Sequence, residues 1–355
     1  MIKKINAFRR RFLSSLTKEI GKKQDFSFDS NDAKNCERIL VSRPNHRLGN
    51  MLLITPLINE LTTVFPYSRI DIFAKGPLAR SIFENYPNVS IIELPKKHFR
   101  HLFQYIFAWI KLRTTKYDLV INAMPNSSSG RLSTRFAKGK NKFYGFAFND
   151  VQYPLAEYRH IAKHPVYGLW NYLGLYKNEY IVPEMDLKLS FLELQKGNRL
   201  LAEMVDTHKK TICLFTYATG DKIYPSSWWN EFYKILKNRY KDYNIIEILP
   251  VERVSAFNFS IPHFYSKDIR EIGSLIAGTD MFIGADSGMM HLANSVLNPT
   301  VGLFSVTDPN VYGCYGDGSI SIDTNSNDVQ DCVEIISNLL DNLETEYEAT
   351  AIRYA

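Results

Sequence analysis

Residues 284–293 read Gly284-Ala285-Asp286-Ser287-Gly288-Met289-Met290-His291-Leu292-Ala293. The run from Asp280 to Gly284 predicts a buried strand, which ends at an Asp-Ser-Gly turn where a helical pattern begins at once. Ser287 or Asp286 can cap that helix, and Gly288 allows a ligand to approach the backbone closely. Because a helix start offers unpaired N–H groups and the positive end of a dipole, the stretch predicts a phosphate or diphosphate site.

Similar apolar runs alternate with helical patterns along most of the chain, which predicts parallel sheets covered by helices. The pattern loosens between Asn149 and Lys196 and then restarts, so we expect an α/β protein of two Rossmann-like domains. Ligands of such sheets bind outside the carboxyl ends of the strands, which favours a cleft between the domains. The predicted strands are Arg38–Ser42, Ile70–Ala74, Val89–Leu94, Tyr117–Asn122, Thr211–Thr216, Asn244–Leu249, Met281–Gly284 and Thr300–Phe304.

Two helices are expected in the first half of the chain. One spans about Gly49 to Phe65, and the other spans Phe99 to Leu112. The second carries Phe103, Phe107 and Trp109 among polar residues. We expect these aromatic side chains to pack in the core, and contact with a membrane surface is the second choice.

Length and composition describe a globular protein. The chain has 355 residues, enough for two domains, and its hydrophobic content is 45%. Its four cysteines show no C-x-x-C spacing, which argues against a disulfide framework or a zinc site and favours a reducing, cytoplasmic setting. No run approaches the roughly 18 apolar residues that a membrane span needs.

The segment from Met1 to Lys23 is strongly basic, with Glu19 as its single acid. Its apolar residues recur at three- and four-residue steps, as on one face of a helix. Two interpretations stay open: an anchor that lies peripherally on the anionic cytoplasmic face of an inner membrane, or a solvated tail whose apolar stripe packs on its own domain. Nucleic acid is a poorer partner, since no recognised nucleic-acid-binding module follows. The apolar residues are Ile5, Phe8, Phe12, Leu16 and Ile20.

Three stretches together resemble glycosyltransferase family 9, the heptosyltransferases that extend the inner core of lipopolysaccharide. The first contains a strand, a glycine turn and a Thr-Pro helix start at residues 39–57, and the second spans residues 117–146. The third and most specific begins at Asp286 and continues through Pro299-Thr300-Val301-Gly302 to Thr307-Asp308-Pro309. The similarity runs in order and spacing from about Arg38 to Leu340.

The resemblance implies the GT-B fold, with two Rossmann-like domains whose parallel sheets face each other across a cleft. It divides the chain into a basic amphipathic extension (1–34), an acceptor-binding domain (35–185) and a nucleotide-sugar-binding domain with a C-terminal tail (186–355). It also implies inverting transfer of a sugar from a nucleotide donor, ADP-heptose in the characterised branches, without a metal or a resident cofactor. The implied acceptor is a lipopolysaccharide core or a related lipid-linked, anionic glycan.

The donor site implied by the resemblance lies in the second domain. A leaving nucleoside diphosphate develops negative charge, which a helix start and a cation can stabilise. Lys222 falls where the family places a phosphate-contacting lysine, Thr219 is a hydroxyl partner, and Glu252 can hold the ribose hydroxyls. Asp286 would face sugar hydroxyls, because two anions repel each other. The helix start itself comprises Asp286, Ser287, Gly288, Met289 and His291. A plain helix cap at Asp286 and Ser287, and an ordinary surface lysine at Lys222, are the alternatives.

The first turn departs from the family pattern at the residue after Gly49. The family usually has an aspartate there, the candidate general base, whereas this chain has Asn50, whose amide cannot take a proton near neutral pH. Three explanations stay open. In the first, His46 is the base, since its ordinary pKa of about 6.5 suits proton transfer near neutral pH. In the second, Asn50 only orients the acceptor in a loose transition state that needs little help from a base. In the third, the protein binds ligands and catalyses poorly. A loop histidine that only holds the turn is the alternative for His46.

A basic cluster supports an anionic acceptor. Between Gly130 and Lys142 there are five basic residues and no acid, and arginine suits bidentate binding of a carboxylate or phosphate. Arg131 is the strongest candidate, Arg43 and Arg47 beside the first turn can add to it, and Asn122 takes a position where many relatives carry an acid. A solvated basic face is the alternative.

Three other functions compete with sugar transfer. A nicotinamide-dependent dehydrogenase should show G-x-G-x-x-G after an early strand, and the turn at residues 46–50 does not. A GT-B nucleotide-sugar epimerase shares the architecture but would turn over the donor without an acceptor. A degenerate relative that binds sugar nucleotide or glycan without transfer is suggested by Asn50 and Asn122.

Overall fold

The structure is a computed structural model that describes residues 17–21, 28, 35–97, 100–145, 156–175 and 181–354. The chain divides into two compact units, Met1–Pro183 (unit 1) and Glu184–Ala355 (unit 2). Within the described ranges, no helix is long and apolar enough to cross a membrane. The amphipathic helix expected over Met1–Lys23 lies outside the described residues, apart from 17–21.

Unit 1 contains one parallel sheet with helices between its strands. The strands are β1 (Arg38–Arg43), β2 (Arg69–Lys75), β3 (Val89–Leu94), β4 (Lys116–Asn122) and β5 (Lys138–Phe143). The helices are α1 (Leu48–Leu52), α2 (Thr55–Val64), α3 (Leu78–Ile82), α4 (Leu102–Thr114), α5 (Ser128–Phe136) and α6 (His164–Leu173). The strand order is β3-β2-β1-β4-β5, so the chain reverses its direction of travel between β1 and β4.

Unit 2 repeats this design around a second parallel sheet. The strands are β6 (Thr211–Phe215), β7 (Asn244–Ile248), β8 (His263–Phe264), β9 (Met281–Ala285), β10 (Thr300–Phe304) and β11 (Ile320–Asp323). The helices are α7 (Phe191–Ala202), α8 (Ser226–Arg239), α9 (Ile269–Ala277), α10 (Gly288–Asn294), α11 (Pro309–Tyr312) and α12 (Val329–Tyr354). The strand order β11-β10-β9-β6-β7-β8 reverses between β9 and β6. The two sheets confirm the α/β class.

All eight predicted strands are present, with ends that differ by at most one residue. They are recognisable because strands buried on both faces of a parallel sheet read as continuous apolar runs. The sequence did not reveal β5, β8 or β11. Strand β5 has the sequence Lys-Gly-Lys-Asn-Lys-Phe at the end of the sheet, where lysines are tolerated, and β8 has only two residues.

The helix expected over Gly49–Phe65 is interrupted, and the expectation of one continuous helix was wrong. Helix α1 ends at Leu52 and α2 begins at Thr55, with Pro56 in its first turn. Proline lacks an N–H and fits a helix start better than a helix interior, so the chain begins a new helix here. The Thr55 hydroxyl donates to the Leu52 carbonyl at 2.8 Å and holds the junction.

Helix α4 corrects the expectation that Phe103 and Phe107 pack in the core. Their side chains are 89% and 67% exposed. The opposite face of the helix packs on the sheet through Ala108 and Leu112, and Trp109 packs against that core cluster while remaining partly buried. The prediction was wrong because α4 is apolar around its circumference, and aromatic residues alone do not say which face is buried.

The expected linker between Asn149 and Lys196 includes ordered structure. Helix α6 is largely buried, and its Trp170 indole donates to the buried carboxylate of Glu60 on α2 at 2.5 Å. At the other end of the chain, helix α12 continues to Tyr354. Cys332 and Ile336 on that helix belong to the core of unit 2.

Candidate functional site

The candidate site in unit 2 lies at the carboxyl edge of its sheet. Because all neighbouring strands are parallel, the loops after β10, β9, β6 and β7 leave from the same edge in that spatial order. The chain reverses between β9 and β6, the point at which open α/β sheets open a crevice for ligands. The sequence-predicted donor residues come from the loops after β6, β7 and β9 and from the start of α10.

Lys222 and Asp286 meet at this reversal point. The Lys222 ammonium donates to a carboxylate oxygen of Asp286 at 2.5 Å, although 64 positions separate them in the chain. The Thr307 hydroxyl, from the loop after β10, donates to the same oxygen. The side chain of Asp286 is 7% exposed and that of Lys222 is 30% exposed. The buried carboxylate is therefore neutralised by a cation that remains accessible from one side.

Ser287 caps the helix that follows. Its hydroxyl accepts from the backbone N–H groups of Met289 at 3.3 Å and Met290 at 3.5 Å. Of the two caps that the sequence allowed, Ser287 is the one used, while Asp286 faces Lys222. Gly288 and Met289 are partly exposed at the helix start, and His291 is buried.

Glu252 is exposed in the loop after β7 and bonds through its side chain to Tyr217, which follows β6. Partial desolvation, then the charge and hydrogen bond of Glu252, raise the pKa of the Tyr217 phenol. Thr219 is exposed at the start of the single 3₁₀ turn that carries Lys222. That turn contains Gly220 at φ +70°, a left-handed conformation that glycine adopts without strain.

Glu247 on β7 holds two of these loops and was missed from the sequence. Its carboxylate is fully buried and accepts from the Thr216 hydroxyl at 2.6 Å, the Ser255 hydroxyl at 2.5 Å and the Ala256 N–H at 3.2 Å. Thr216 precedes Tyr217, and Ser255 closes the loop that bears Glu252. A buried carboxylate with three hydrogen-bond donors holds these segments together strongly. The only sign of it in the sequence was an acidic residue inside an apolar strand.

The corresponding edge of unit 1 carries the first glycine turn. Arg43, at the end of β1, is buried, and its Nε donates to the Asn50 backbone carbonyl at 3.3 Å. The Asn45 side chain accepts from the N–H groups of His46 at 2.7 Å and Arg47 at 2.9 Å. These bonds fix the turn and leave the His46 and Arg47 side chains exposed, with Asn50 partly exposed beside them.

Positive charge surrounds His46. Partial burial lowers its pKa from the ordinary 6.5, and the charges of Lys75, Lys96 and Arg47 lower it further. A lowered pKa means that the imidazole is neutral at neutral pH and can accept a proton. Lys75 ends β2 and Lys96 follows β3, so three loops contribute cations to one place. Sequence reasoning missed both lysines, because an isolated lysine after a strand carries no pattern.

Asn122 and Arg131 lie at the neighbouring strand end but are engaged with the backbone. The buried Asn122 amide donates to the carbonyls of Met124 at 2.9 Å and Tyr144 at 3.0 Å. Arg131 donates to the Pro125 carbonyl at 2.7 Å and to the Thr17 hydroxyl at 3.2 Å. Partial burial lowers the pKa of its guanidinium. Both side chains shape the loop at residues 122–127.

Comparisons with known proteins agree with the resemblance inferred from the sequence. The family model for glycosyltransferase family 9 (heptosyltransferase) matches residues 266–339, which include Asp286 and the start of α10. Lipopolysaccharide heptosyltransferase 1 of Escherichia coli (strain K12) is 23% identical over 311 residues, covering 79% of this chain and 91% of that protein.

Two solved structures show the same fold. The glycosyltransferase family 9 structure from Veillonella parvula DSM 2008 has a TM-score of 0.67 and 18% identity, covering 82% of this chain and 86% of that one. E. coli heptosyltransferase WaaC with ADP has a TM-score of 0.63 and 17% identity, covering 86% of this chain and 99% of that one. The resemblance is confirmed, and the chain is a glycosyltransferase related to glycosyltransferase family 9, the heptosyltransferases.

Proposed function

We propose that the protein transfers a sugar, heptose from ADP-heptose, onto a lipopolysaccharide core or a related lipid-linked, anionic glycan, with inversion and without a metal ion. Unit 2 binds the nucleotide sugar and unit 1 binds the acceptor. The reaction takes place in the cytoplasm, at the inner membrane that holds such acceptors. The observation that carries the proposal is the Lys222–Asp286–Thr307 cluster beside the start of α10.

The cluster supports a diphosphate ligand by its charge. A diphosphate at the start of α10 offers the Lys222 ammonium a second anion to bind in place of Asp286. The helix dipole also attracts the diphosphate. Asp286 is then released to accept hydrogen bonds from sugar hydroxyls. Lys222 thus exchanges the Asp286 carboxylate for the diphosphate. The buried Asp286 carboxylate keeps its hydrogen bond from the Thr307 hydroxyl and gains donors from the sugar. We assign the ribose hydroxyls to Glu252 and Tyr217, whose side chains bond to each other between the loops after β7 and β6.

The choice of ADP-heptose is supported by the related proteins. The E. coli relative is a lipopolysaccharide heptosyltransferase 1, and the similar E. coli fold was solved with ADP. The cations at the carboxyl edge of unit 1 favour an anionic acceptor. Lys75, Lys96 and Arg47 all act on His46 with positive charge, and together they would attract a carboxylate or phosphate of the glycan.

The transfer step needs one proton acceptor. The acceptor hydroxyl oxygen forms a bond to the anomeric carbon while the bond from that carbon to the diphosphate oxygen breaks, and ADP leaves with the electron pair. We assign the released proton to His46, which is neutral at neutral pH, and we assign Asn50 the role of orienting the acceptor. Lys222 and the N–H groups at the start of α10 stabilise the charge on the leaving diphosphate.

The test is a mass-spectrometric screen of nucleotide sugars against truncated core acceptors. Native protein should form product with ADP-heptose, and Lys222→Met should lower kcat/KM by roughly 10²-fold, the usual cost of removing one transition-state donor. Lys209→Met, an exposed lysine elsewhere in unit 2, is the matched control and should retain native activity.

Three results would contradict the proposal. Native turnover of donor to an isomer without acceptor would indicate an epimerase. Absence of donor consumption with any acceptor would indicate a binding protein. Equal activity of Lys222→Met and Lys209→Met, with both folded by circular dichroism, would remove Lys222 from the donor site.

A further inference from the structure

Helix α4 exposes a continuous apolar face. Five residues recur at helical spacing on that face, and each is at least 45% exposed. We call them the α4 outer face: Leu102, Phe103, Ile106, Phe107 and Ile110. Isolated exposed apolar residues are normal on a protein surface, whereas a contiguous patch with two exposed phenylalanines marks an interaction surface.

The patch continues across a groove onto α5. The groove has a volume of about 430 Å³, and its walls are apolar side chains of α4 and α5. Trp109 forms its floor, with ring centroids 5.4 Å from Phe136 and 5.5 Å from Phe73 in edge-on contacts. Leu132 and Phe136 are each 42% exposed, so the apolar surface spans two helices.

The part of the sequence that contains α4 and α5 is rich in basic residues. Between Pro95 and Asn149 the chain has eleven lysines and arginines, and Asp118 is its single acid. All of the eleven except Lys111, Arg131 and Lys142 are exposed, and these three are partly exposed. The eleven are Lys96, Lys97, Arg100, Lys111, Arg113, Lys116, Arg131, Arg135, Lys138, Lys140 and Lys142.

Three of these cations, one each on α4, α5 and β5, lie close to one another. Lys142 on β5 donates to the Arg135 carbonyl at 2.7 Å. Partial burial lowers the pKa of its ammonium, and the charges of Arg113 and Arg135 lower it further. Arg113 lies one helical turn beyond Ile110 on α4, and Arg135 directly precedes Phe136. Mutual repulsion among three cations is relieved when an anion binds beside them.

We propose that the α4 outer face and the α5 groove dock the protein on an anionic lipid bilayer. Phenylalanine and isoleucine side chains would enter the interface, while Arg113, Arg135 and Lys142 contact lipid phosphates. Helix α4 has 13 residues, about 20 Å of helix against the roughly 30 Å of a hydrocarbon core, so it lies on the membrane. The excess of positive charge disfavours a second copy of the same surface, which would bring like charges together.

Vesicle sedimentation tests the proposal without substrate, so its result does not depend on the proposed transfer reaction. The full chain should bind phosphatidylcholine vesicles that contain about 30% phosphatidylglycerol more tightly than vesicles of pure phosphatidylcholine. Phe103→Ser with Phe107→Ser should lower the partition coefficient about tenfold or more, since two buried aromatic side chains are lost. Phe191→Ser with Leu192→Ser, each 72% exposed on α7, is the matched control and should bind as native.

A second pair of variants tests the charge, with Arg113→Gln and Arg135→Gln combined. This variant should bind anionic vesicles several-fold more weakly than native protein. The difference between the two should become smaller at high salt, where native binding also falls. Lys234→Gln with Lys241→Gln removes the same charge from exposed positions in unit 2 and should not change binding.

A fluorescent reporter locates the contact. The fluorescence that Phe107→Trp adds to that of the native tryptophans should be quenched by brominated acyl chains in anionic vesicles, and the fluorescence that Phe191→Trp adds should not. Native partition in the Phe103/Phe107 variant, or absence of quenching at position 107, would overturn the proposal even if another segment binds lipid. Loss of a dimer in analytical ultracentrifugation, with vesicle binding unchanged, would assign the surface to a second copy.

Discussion

At the scale of single residues, the surroundings of His46 favour its neutral imidazole, the form that the proposed base needs. Burial disfavours its charged form, and Lys75, Lys96 and Arg47 act in the same direction. The neutral form therefore persists to a lower pH than in an ordinary histidine. In the proposed reaction the same cations would attract an anionic acceptor, so one arrangement would serve both binding and proton transfer.

A pH profile checks this assignment. With His46 as the base, kcat/KM should fall on the acid side with an apparent pKa below the ordinary 6.5. His46→Gln should remove that limb and lower the rate about 10²-fold or more. His208→Gln, at an exposed histidine in unit 2, should keep the native profile. An unchanged profile in His46→Gln would show that another group takes the proton.

The strand-turn-helix pattern was enough to nominate Asp286, whereas Lys222 was nominated through the resemblance to glycosyltransferase family 9. Their ion pair could not be predicted, since 64 positions separate them and no local pattern links them. The engagement of Asn122 and Arg131 with loop carbonyls was equally invisible, because side chains that bind the backbone and side chains that bind ligands look alike in a sequence.

At the scale of elements, a glutamate of the capping box of α7 also binds an arginine of α9. Ser190 and Glu193 exchange hydrogen bonds at the start of α7, and Glu193 also accepts from Arg270 of α9 at 2.5 Å and 2.9 Å. The hydrogen bond from Arg270 is the main reason that the pKa of Glu193 is lowered to about 2. The guanidinium is buried and also donates to the carbonyls of Leu187 and Lys188.

Replacement of Glu193 by Gln separates the charge from the cap, because glutamine can complete a capping box. A carboxyl whose folded pKa is depressed adds stability above its unfolded pKa and loses it as pH falls. Glu193→Gln should therefore lower the Tm at pH 7, and its difference from native should shrink between pH 4.5 and pH 2, the ordinary and folded values.

Thermal denaturation at several pH values measures this difference. Glu203→Gln, an exposed acid at the other end of α7, is the control and should show a small, constant difference. A Tm difference for Glu193→Gln that does not change with pH would mean that packing, and not the charge, carries the contact.

The success of sequence prediction differed among elements for physical reasons. Strands such as β6 and β9 are buried on both faces, so their apolar runs are unmistakable. Strand β5 was not predicted because lysines alternate with other residues along it, as is possible at the end of a sheet. Helix α4 was predicted, but the choice of its buried face was wrong. A helix that is apolar on both faces does not show in its sequence which face packs on the sheet.

At the scale of the whole molecule, each unit places its candidate residues where its own sheet reverses direction. This recurrence in β1/β4 and β6/β9 follows from the doubly wound order of both sheets. The alternation of strands and helices was sufficient to predict it. The sequence could not assign which cations surround each reversal point, because that depends on loops between strands.

Hydrogen exchange with and without ADP tests the assignment of the donor to unit 2. Saturating ADP should slow exchange most in residues 216–222, 250–256 and 286–290, and at about 100 times Kd it should stabilise the folded state by about 2.7 kcal/mol. Lys222→Met should lose most of that protection, whereas Lys209→Met should keep it. The strongest protection in unit 1 would contradict the assignment.

The lysines of β5 have a consequence for colloidal behaviour. In the described part of the sheet, β5 has β4 as its single neighbour, and Lys138, Lys140 and Lys142 recur at every second position along it. An open strand border can recruit a matching strand from another molecule, the first step towards fibrils or precipitates. Two such borders brought side by side would oppose rows of ammonium groups, so we expect repulsion at that border to disfavour strand pairing between molecules in crowded solution.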